Sequence, residues 1–127
     1  MMTRSPSWLF LFMLLIHSAY AQPSNRTECF VFIDTAIPEQ LSLFKQFNEE
    51  YYLSRTLQKK GSITFINIGI QPLANTTLVP IINDKEGIWV RKFKPKSLPA
   101  MFLVDHGNHF QRAVVHTREI RQCLQGR

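Results

Sequence analysis

The chain has 127 residues, of which 45% are hydrophobic and 19% are charged. These ordinary globular values exclude intrinsic disorder and collagen-like repeats, and the length predicts a single domain. The 15 Lys and Arg residues against 9 Asp and Glu residues give a net charge of +6, so the protein is moderately basic. The 2 cysteines allow at most one intramolecular disulfide and exclude a zinc site built from four cysteines.

Residues 1–21 have the three-part pattern of a secretory signal peptide. Arg4 supplies a positive charge, residues 8–16 form an uncharged apolar run, and small residues precede a cleavage point after Ala21. The apolar run is too short to cross a bilayer, which takes about 20 helical residues. We therefore predict an exported protein cleaved after Ala21, with a short tail over residues 22–28 and one domain over residues 29–127. An uncleaved N-terminal anchor is the alternative.

The first half of the predicted domain alternates strand and helix. Residues 29–33 are apolar throughout, which predicts a strand buried on both faces. Pro38 then begins an amphipathic helix of about 20 residues, which a left-handed Gly61 would end. Residues 62–70 predict a second strand that is also buried on both faces.

The second half predicts a hairpin and a last helix. Residues 71–87 predict irregular structure with one short helical stretch. Residues 100–104 and 110–115 predict two antiparallel strands joined at the turn 105–108, and Thr117 would cap the last helix. The order β-α-β then β-β-α predicts an α/β fold with a mixed four-stranded sheet, in which the first two strands are parallel and both main helices cover one face. An unrelated α+β sandwich with the same element order is the alternative.

Three segments of this pattern resemble the thioredoxin fold. Residues 29–43 are similar to the first strand and active-site helix of thioredoxins. Leu98-Pro99-Ala100 is similar to their cis-proline segment, and the turn 105–108 with the last helix is similar to their C-terminal end. The resemblance implies a thioredoxin-like fold with a cis peptide bond before Pro99, and Leu98 against the Ile37-Pro38 turn.

One departure separates the chain from redox-active thioredoxins. In those proteins the helix begins with two cysteines separated by two residues, and thiol–disulfide exchange needs a thiolate there. The aligned residues of this chain are Ala36-Ile37-Pro38-Glu39, which contain no thiol. We therefore expect no enzyme activity, no catalytic residues, no cofactor and no small-molecule substrate.

Within the fold, residues 30–40 and 89–104 resemble the TrbC-type pilin-assembly proteins of F-type conjugative transfer systems, whose usual members are longer. This resemblance implies a periplasmic, non-catalytic binding or scaffold protein in the assembly of a conjugative pilus or type IV secretion apparatus. Its partners would be other assembly proteins. One alternative is a periplasmic thiol–disulfide carrier or chaperone that uses Cys29 or Cys123. Another is a secreted eukaryotic glycoprotein, because Asn25 and Asn75 begin glycosylation sequons.

Two surfaces are candidates for binding. The first is a sheet edge at which an extended partner segment would be received by strand addition, formed by Thr35, Ala36, Ile37, Pro38, Leu98 and Pro99. The second is a basic patch of Lys85, Arg91, Lys92, Lys94 and Lys96. The patch fits an anionic membrane surface or an acidic protein better than nucleic acid, and simple solvation of a connecting segment is its alternative.

Cys29 and Cys123 are candidates for a structural disulfide because an exported protein matures in an oxidising compartment. In the proposed fold the last helix returns to the sheet edge where the first strand begins, which brings the two residues together. Two free buried thiols, or a catalytic or intermolecular cysteine, are the alternatives. We expect no metal site: Asp105, His106 and His109 have the polar character of turn residues.

Overall fold

The computed structural model describes residues 27–74 and 78–125. The predicted signal peptide and most of the predicted tail lie outside the described residues, as do Asn25 and Asn75 of the two sequons. Cleavage after Ala21 and glycosylation therefore stay predictions from the sequence. Within the described ranges, no helix is long and apolar enough to cross a membrane.

Five strands and four helices follow one another in the described part of the chain. They are β1 (Glu28–Ile33), α1 (Pro38–Leu53), α2 (Arg55–Lys60), β2 (Ser62–Asn67), β3 (Ile81–Asn83), α3 (Ile88–Phe93), β4 (Ala100–Asp105), β5 (Asn108–Ala113) and α4 (Thr117–Leu124). The strands form one mixed sheet in the order β3-β2-β1-β4-β5. β1, β2 and β3 are parallel, whereas β4 is antiparallel to both β1 and β5. The predicted α/β arrangement and the parallel first two strands are confirmed.

The apolar core fills both faces of the sheet. Helices α1, α2 and α4 cover one face, where Phe44 packs edge-on against Phe65 with ring centroids 4.9 Å apart. The short helix α3 covers the other face and places Phe93 against Phe32 and Phe102. The two main helices therefore share one face, as predicted, and α3 is an element that the sequence pattern did not indicate.

The sheet has five strands, not the four that the sequence predicts. The additional strand β3 lies within residues 71–87, whose described part contains no helix. It pairs with β2 over three residues, and the Phe65 N–H donates to the Pro80 carbonyl over 2.9 Å. So short a strand has no recognisable alternation, and it forms because it meets the exposed hydrogen-bonding groups along the edge of β2.

The predicted long helix is two helices. α1 ends at Leu53, and Ser54 adopts an extended backbone and caps α2, its hydroxyl accepting a hydrogen bond from the Leu57 N–H over 3.2 Å. Serine is a favoured N-cap because its oxygen satisfies a backbone donor that lacks a helical partner. The predicted left-handed cap at Gly61 is wrong, since this residue has an extended φ of −170°. Gly61 instead allows close approach: a Cβ there would lie 2.9 Å from the Thr27 carbonyl oxygen.

Two strand boundaries also differ from the prediction. β2 ends at Asn67 instead of residue 70, because the Asn67 side chain accepts a hydrogen bond from the Gly69 N–H and turns the chain. β5 spans Asn108–Ala113 instead of residues 110–115. The cause is a two-residue hairpin turn, in which His106 and Gly107 both have positive φ.

The last helix begins one residue earlier than predicted. His116 is its N-cap, and Thr117 is buried in its first turn instead of capping it. The Glu119 carboxylate oxygen Oε1 accepts hydrogen bonds from the backbone N–H groups of Val115 and His116. A carboxylate in the first turn satisfies these donors and interacts favourably with the helix dipole.

Candidate functional site

The predicted binding surface lies at one edge of the sheet, where β1 and β2 end and β4 begins. The antiparallel register pairs Phe32 with Ala100, so the segment after β1 and the segment before β4 lie at the same edge. The peptide bond between Leu98 and Pro99 is cis, as the thioredoxin resemblance implies. We call residues 34–38, 68–73 and 97–99 together the upper edge.

Asn67 is the centre of the hydrogen-bond network beneath the upper edge. Its side chain is fully buried, and its Oδ1 atom accepts from the N–H groups of Thr35 and Gly69 over 3.1 and 3.0 Å. Its Nδ2 atom donates to the Gln71 carbonyl over 2.8 Å and to Asn83 Oδ1 over 3.0 Å. A buried amide with this many partners is costly to rearrange, so it fixes the loop after β1 to the loop after β2.

The turn that leads into α1 is fixed by Asp34 and Gln40. Asp34 Oδ1 accepts from the Ala36 N–H over 2.9 Å, and the Ile37 N–H donates to the Asp34 carbonyl over 3.0 Å. Buried Gln40 reaches back from the first turn of α1, and its Oε1 atom accepts from the Asp34 N–H over 2.7 Å. Pro38 begins the helix, where its missing N–H leaves no hydrogen bond unmade.

The loop after β2 supports an exposed apolar side chain. The Thr35 hydroxyl donates to the Gln71 carbonyl over 3.1 Å, and a Cβ atom on Gly69 would overlap with the Asp34 carboxylate. Between Gly69 and Gln71, Ile70 is 96% exposed. An isoleucine exposed on a loop that is held from both sides is a candidate contact for a partner.

The predicted surface residues differ in exposure. Ala36, Ile37 and Pro38 are exposed, Leu98 and Pro99 are half-buried, and Thr35 is buried. Thr35 therefore supports the upper edge from below. Sequence reasoning missed both Ile70 and Asn67. The signal for Asn67 was an amide among apolar residues on a strand face expected to be buried.

A groove of about 550 Å³ lies beside Pro99. Its lining comes from two strand ends, residues 96–99 before β4 and residues 111–115 from the end of β5 and the segment after it. Lys96 and Arg112 are the charged residues of this lining, which contains no acidic side chain. The groove extends the upper edge toward the outer strand of the sheet and gives it a basic character.

No protein-family model matches this chain, and no curated protein matches it. Among solved structures, StoA from Bacillus subtilis superposes with a TM-score of 0.58 at 14% identity, over 80% of this chain and 84% of that chain. The chain has a thioredoxin-like fold. MTB DsbF gives a TM-score of 0.50 at 16% identity over 80% of both chains, and tryparedoxin II from C. fasciculata gives 0.50 at 19% over 76% and 68%. At such identities the likeness concerns the fold alone.

The disulfide of this thioredoxin-like chain lies away from the upper edge. Cys29 and Cys123 are bonded with an S–S distance of 2.07 Å and a Cα–Cα distance of 6.3 Å, which confirms the predicted bridge. The two residues are 1% and 2% exposed. Cys29 lies near the start of β1, four residues before Ile33, so about 13 Å of strand separates it from the upper edge. Both cysteines of the chain are thus used in one buried bond.

The basic patch of this chain surrounds helix α3. All five of its residues are exposed. Lys92 Nζ lies 5.7 Å from the ring centroids of Trp89 and Phe93, a cation–π distance. Both rings pack against the apolar cluster beneath α3. Phe93 is buried in this cluster, whereas Trp89 is half-buried at its margin.

The histidines near the hairpin turn have no metal-site geometry. Among the residues described, no three His, Cys, Asp or Glu side chains are grouped to hold an ion. His106 and Asp105 form an exposed pair with a 3.4 Å separation between nitrogen and oxygen. His109 stacks on Phe93, with ring centroids 4.5 Å apart. The exposed ring of His109 thus lies against the end of α3.

Proposed function

We propose that this protein is a non-catalytic binding protein with a thioredoxin-like fold, and that its upper edge receives an extended segment of a partner. The observation that carries the proposal is the pairing of Cys29 with Cys123 in one buried disulfide. Thiol–disulfide exchange needs an accessible thiolate, commonly at a helix N-terminus. In this chain Ala36 and Glu39 flank the start of α1 and provide none.

The rigidity of the upper edge supports a binding role. Asn67 holds the loops after β1 and β2 together, and Asp34 fixes the turn before α1. A surface that is fixed before binding loses little conformational entropy when the partner arrives. Ile37, which is 38% exposed, and Ile70, which is 96% exposed, offer apolar contacts on these fixed loops.

We further propose that the partner belongs to the assembly machinery of a conjugative pilus or type IV secretion apparatus in the bacterial periplasm. The signal-peptide pattern over residues 1–21 and the TrbC-type resemblance over residues 30–40 and 89–104 support this setting. The basic patch around α3 would face an acidic protein or an anionic membrane surface in the same assembly.

Insulin reduction tests the non-catalytic part of the proposal. With dithiothreitol present, the mature protein is expected to reduce insulin disulfides no faster than the reagent alone. The alternative is a thiol–disulfide carrier that uses Cys29 and Cys123. It is favoured by the solved structure of MTB DsbF in its mixed oxidized and reduced forms, which shares the fold. Turnover that disappears in Cys29→Ala or Cys123→Ala would establish the carrier and refute our proposal.

Genetic complementation tests the binding part. In the host that encodes the protein, deletion of its gene should abolish transfer of the conjugative element, and the wild-type gene should restore it. Ile70→Asp and Ile37→Asp should fail to restore transfer while accumulating to normal levels. Tyr52→Asp is the matched control, because Tyr52 is 69% exposed near the far end of α1. Full transfer with both isoleucine variants would exclude the upper edge as the binding surface.

A further inference from the structure

We propose that β5 is a second docking surface, at which an acidic, extended segment of a partner protein adds to the sheet as a sixth strand. This surface is formed by the outer edge of Asn108–Ala113 and is separate from the upper edge. The inference does not depend on the function proposed above, and different variants test it.

The outer edge of β5 is open. β5 is the last strand of the sheet, and across residues 27–74 and 78–125 no further strand pairs with it. All six of its residues are exposed. Proteins usually protect such an edge with a proline, with charged side chains or with a β-bulge. β5 contains no proline and one charged residue, Arg112, and its register with β4 is regular from Ala100↔Ala113 to Asp105↔Asn108. A single cation would repel a basic segment but attract an acidic one.

The hairpin turn determines which backbone groups of β5 face outward. In a two-residue turn the flanking residues, here Asp105 and Asn108, form a hydrogen-bonded pair. Hydrogen-bonded and non-hydrogen-bonded pairs alternate along an antiparallel ladder. The N–H and carbonyl groups of His109 and Gln111 therefore point away from β4. These are the groups with which an added strand would pair.

The charge around β5 selects an acidic partner. Between residues 88 and 118 the chain has one acidic residue, Asp105, and six Lys or Arg residues: Arg91, Lys92, Lys94, Lys96, Arg112 and Arg118. The ring contact between His109 and Phe93 sets one face of β5 beside the end of α3 and its lysines. Arg112 projects from the opposite face and, with Lys96, lines the groove beside Pro99. Alternate side chains of an added strand would thus meet cations on both faces of the sheet.

The same charge disfavours a second copy of this chain as the occupant. Antiparallel pairing of two β5 strands would bring two basic chains together along their most basic segments. Like charges brought this close repel, whereas an acidic segment is attracted.

Phe110 offers an apolar contact on the same strand. It is 48% exposed and would contact an apolar side chain of the acidic partner segment.

Peptide binding tests the proposal directly. The probe is a short synthetic peptide of alternating glutamate and threonine, and the matched control peptide carries lysine in place of glutamate. At low ionic strength the glutamate peptide should bind the whole mature protein, as followed by fluorescence anisotropy. It should also slow hydrogen exchange at the His109 and Gln111 amides. The lysine peptide should do neither.

Two variants separate strand addition from simple charge attraction. Gln111→Pro removes an outward N–H without removing a hydrogen bond to β4, and it should weaken binding of the glutamate peptide at least about tenfold, or 1.4 kcal/mol. Gln111→Thr keeps that N–H and should bind like wild type. Arg112→Glu should weaken binding by a similar factor. Circular dichroism and thermal melting confirm that each variant is folded.

Three results would overturn the proposal. Equal affinity for the glutamate and lysine peptides would remove the charge argument. Unchanged binding and exchange in folded Gln111→Pro would exclude strand addition. A dimer in sedimentation that Gln111→Pro dissociates would make a second copy the occupant. If Gln111→Pro does not fold, two other measurements decide. The proposal is overturned if the glutamate peptide does not slow hydrogen exchange at His109 and Gln111 of the wild-type protein. It is also overturned if Arg112→Glu binds this peptide as tightly as wild type.

Discussion

The backbone N–H of Thr35 donates a hydrogen bond to Asn67 Oδ1 over 3.1 Å, and so joins the loop after β1 to the end of β2, 32 residues further along the chain. The same side chain also contacts Gly69, Gln71 and Asn83. One buried amide therefore determines the relative position of the segments that form the upper edge. Its contribution to stability and to binding can be measured separately.

Replacing Asn67 by leucine should destabilise the fold. The change removes the hydrogen bonds that Asn67 makes to its four polar partners. Each buried polar group left unsatisfied costs about 1–3 kcal/mol. Since the loops can relax in part, we expect the free energy of unfolding to fall by about 2–4 kcal/mol in total. Urea unfolding measures this loss, and hydrogen exchange at Thr35 should accelerate. Asn108→Ala, at an exposed position of β5, is the control and should change stability by less than about 0.5 kcal/mol. Equal stability of both variants would contradict the role assigned to Asn67.

Gly69→Ala should perturb the upper edge through Asp34. The added Cβ overlaps with the Asp34 carboxylate, which must then give up its hydrogen bond to the Ala36 N–H. Because the Asp34 carboxylate can rotate away, the cost is that of one lost hydrogen bond, about 0.5–1.5 kcal/mol. In Asp34→Ala the carboxylate is absent, so the same glycine substitution should cost clearly less in that background. Additive losses in the double-mutant cycle would show that the two residues do not interact.

Loss of the disulfide should lower stability substantially. Cys29 and Cys123 are separated by 94 residues, and removal of a native disulfide typically costs about 2–5 kcal/mol. Protein isolated from an oxidising compartment should show no titratable thiol after denaturation, and reduction should lower its melting temperature. The variant Cys29→Ala/Cys123→Ala loses both the bond and the two buried sulfur atoms. Reduced wild-type protein loses only the bond, so it measures the contribution of the bond alone. Two free thiols in the isolated protein would contradict the bridge.

Glu119 should make the protein sensitive to acid. Partial burial would raise the pKa of its carboxyl, but hydrogen bonds from the N–H groups of Val115, Glu119 and His116, with the charge of Arg118, lower it below the ordinary value of 4.5. A carboxyl whose pKa is depressed by folding stabilises the folded state above its unfolded pKa. That contribution disappears as the pH falls from about 4.5 through the folded pKa.

The matching experiment is unfolding as a function of pH. Glu119→Gln should be less stable than wild type near neutral pH by about 0.5–1 kcal/mol, because the charge at the helix N-terminus is gone. The difference should shrink below pH 4.5. Glu49→Gln, at an exposed position within α1, is the control and should follow the wild-type curve. A constant difference between Glu119→Gln and wild type at all pH values would contradict the assignment.

The features predicted correctly are those that local pattern or chain composition determines. Most of β1 is a run of apolar residues, Pro38 is a strong helix-start signal, and the predicted export of a chain with two cysteines favours a bridge. The break at Ser54 was missed because the apolar pattern continues through Leu57, and one serine capping bond outweighs it locally. Helical periodicity does not reveal such a cap.

The support beneath the upper edge could not be predicted for a different reason. The partners of Asn67 come from three separate segments, and Asn83 belongs to a strand too short to be recognised. The exposure of Ile70 likewise depends on where β2 ends, which the Asn67 side chain decides. Contacts between residues distant in sequence determine these features.

The bond between Cys29 and Cys123 also determines how the domain responds to mechanical force. These residues lie near the start of the first strand and the end of the last helix. Tension on the chain that precedes Cys29 and the chain that follows Cys123 passes through the covalent bond between them. The strand residues that lie between the two cysteines in the chain are therefore shielded from it. A partner protein that pulls on the chain before Cys29 or after Cys123 would therefore move the domain without unfolding its sheet. A domain closed in this way transmits force between the segments on either side of its bridge as a rigid link.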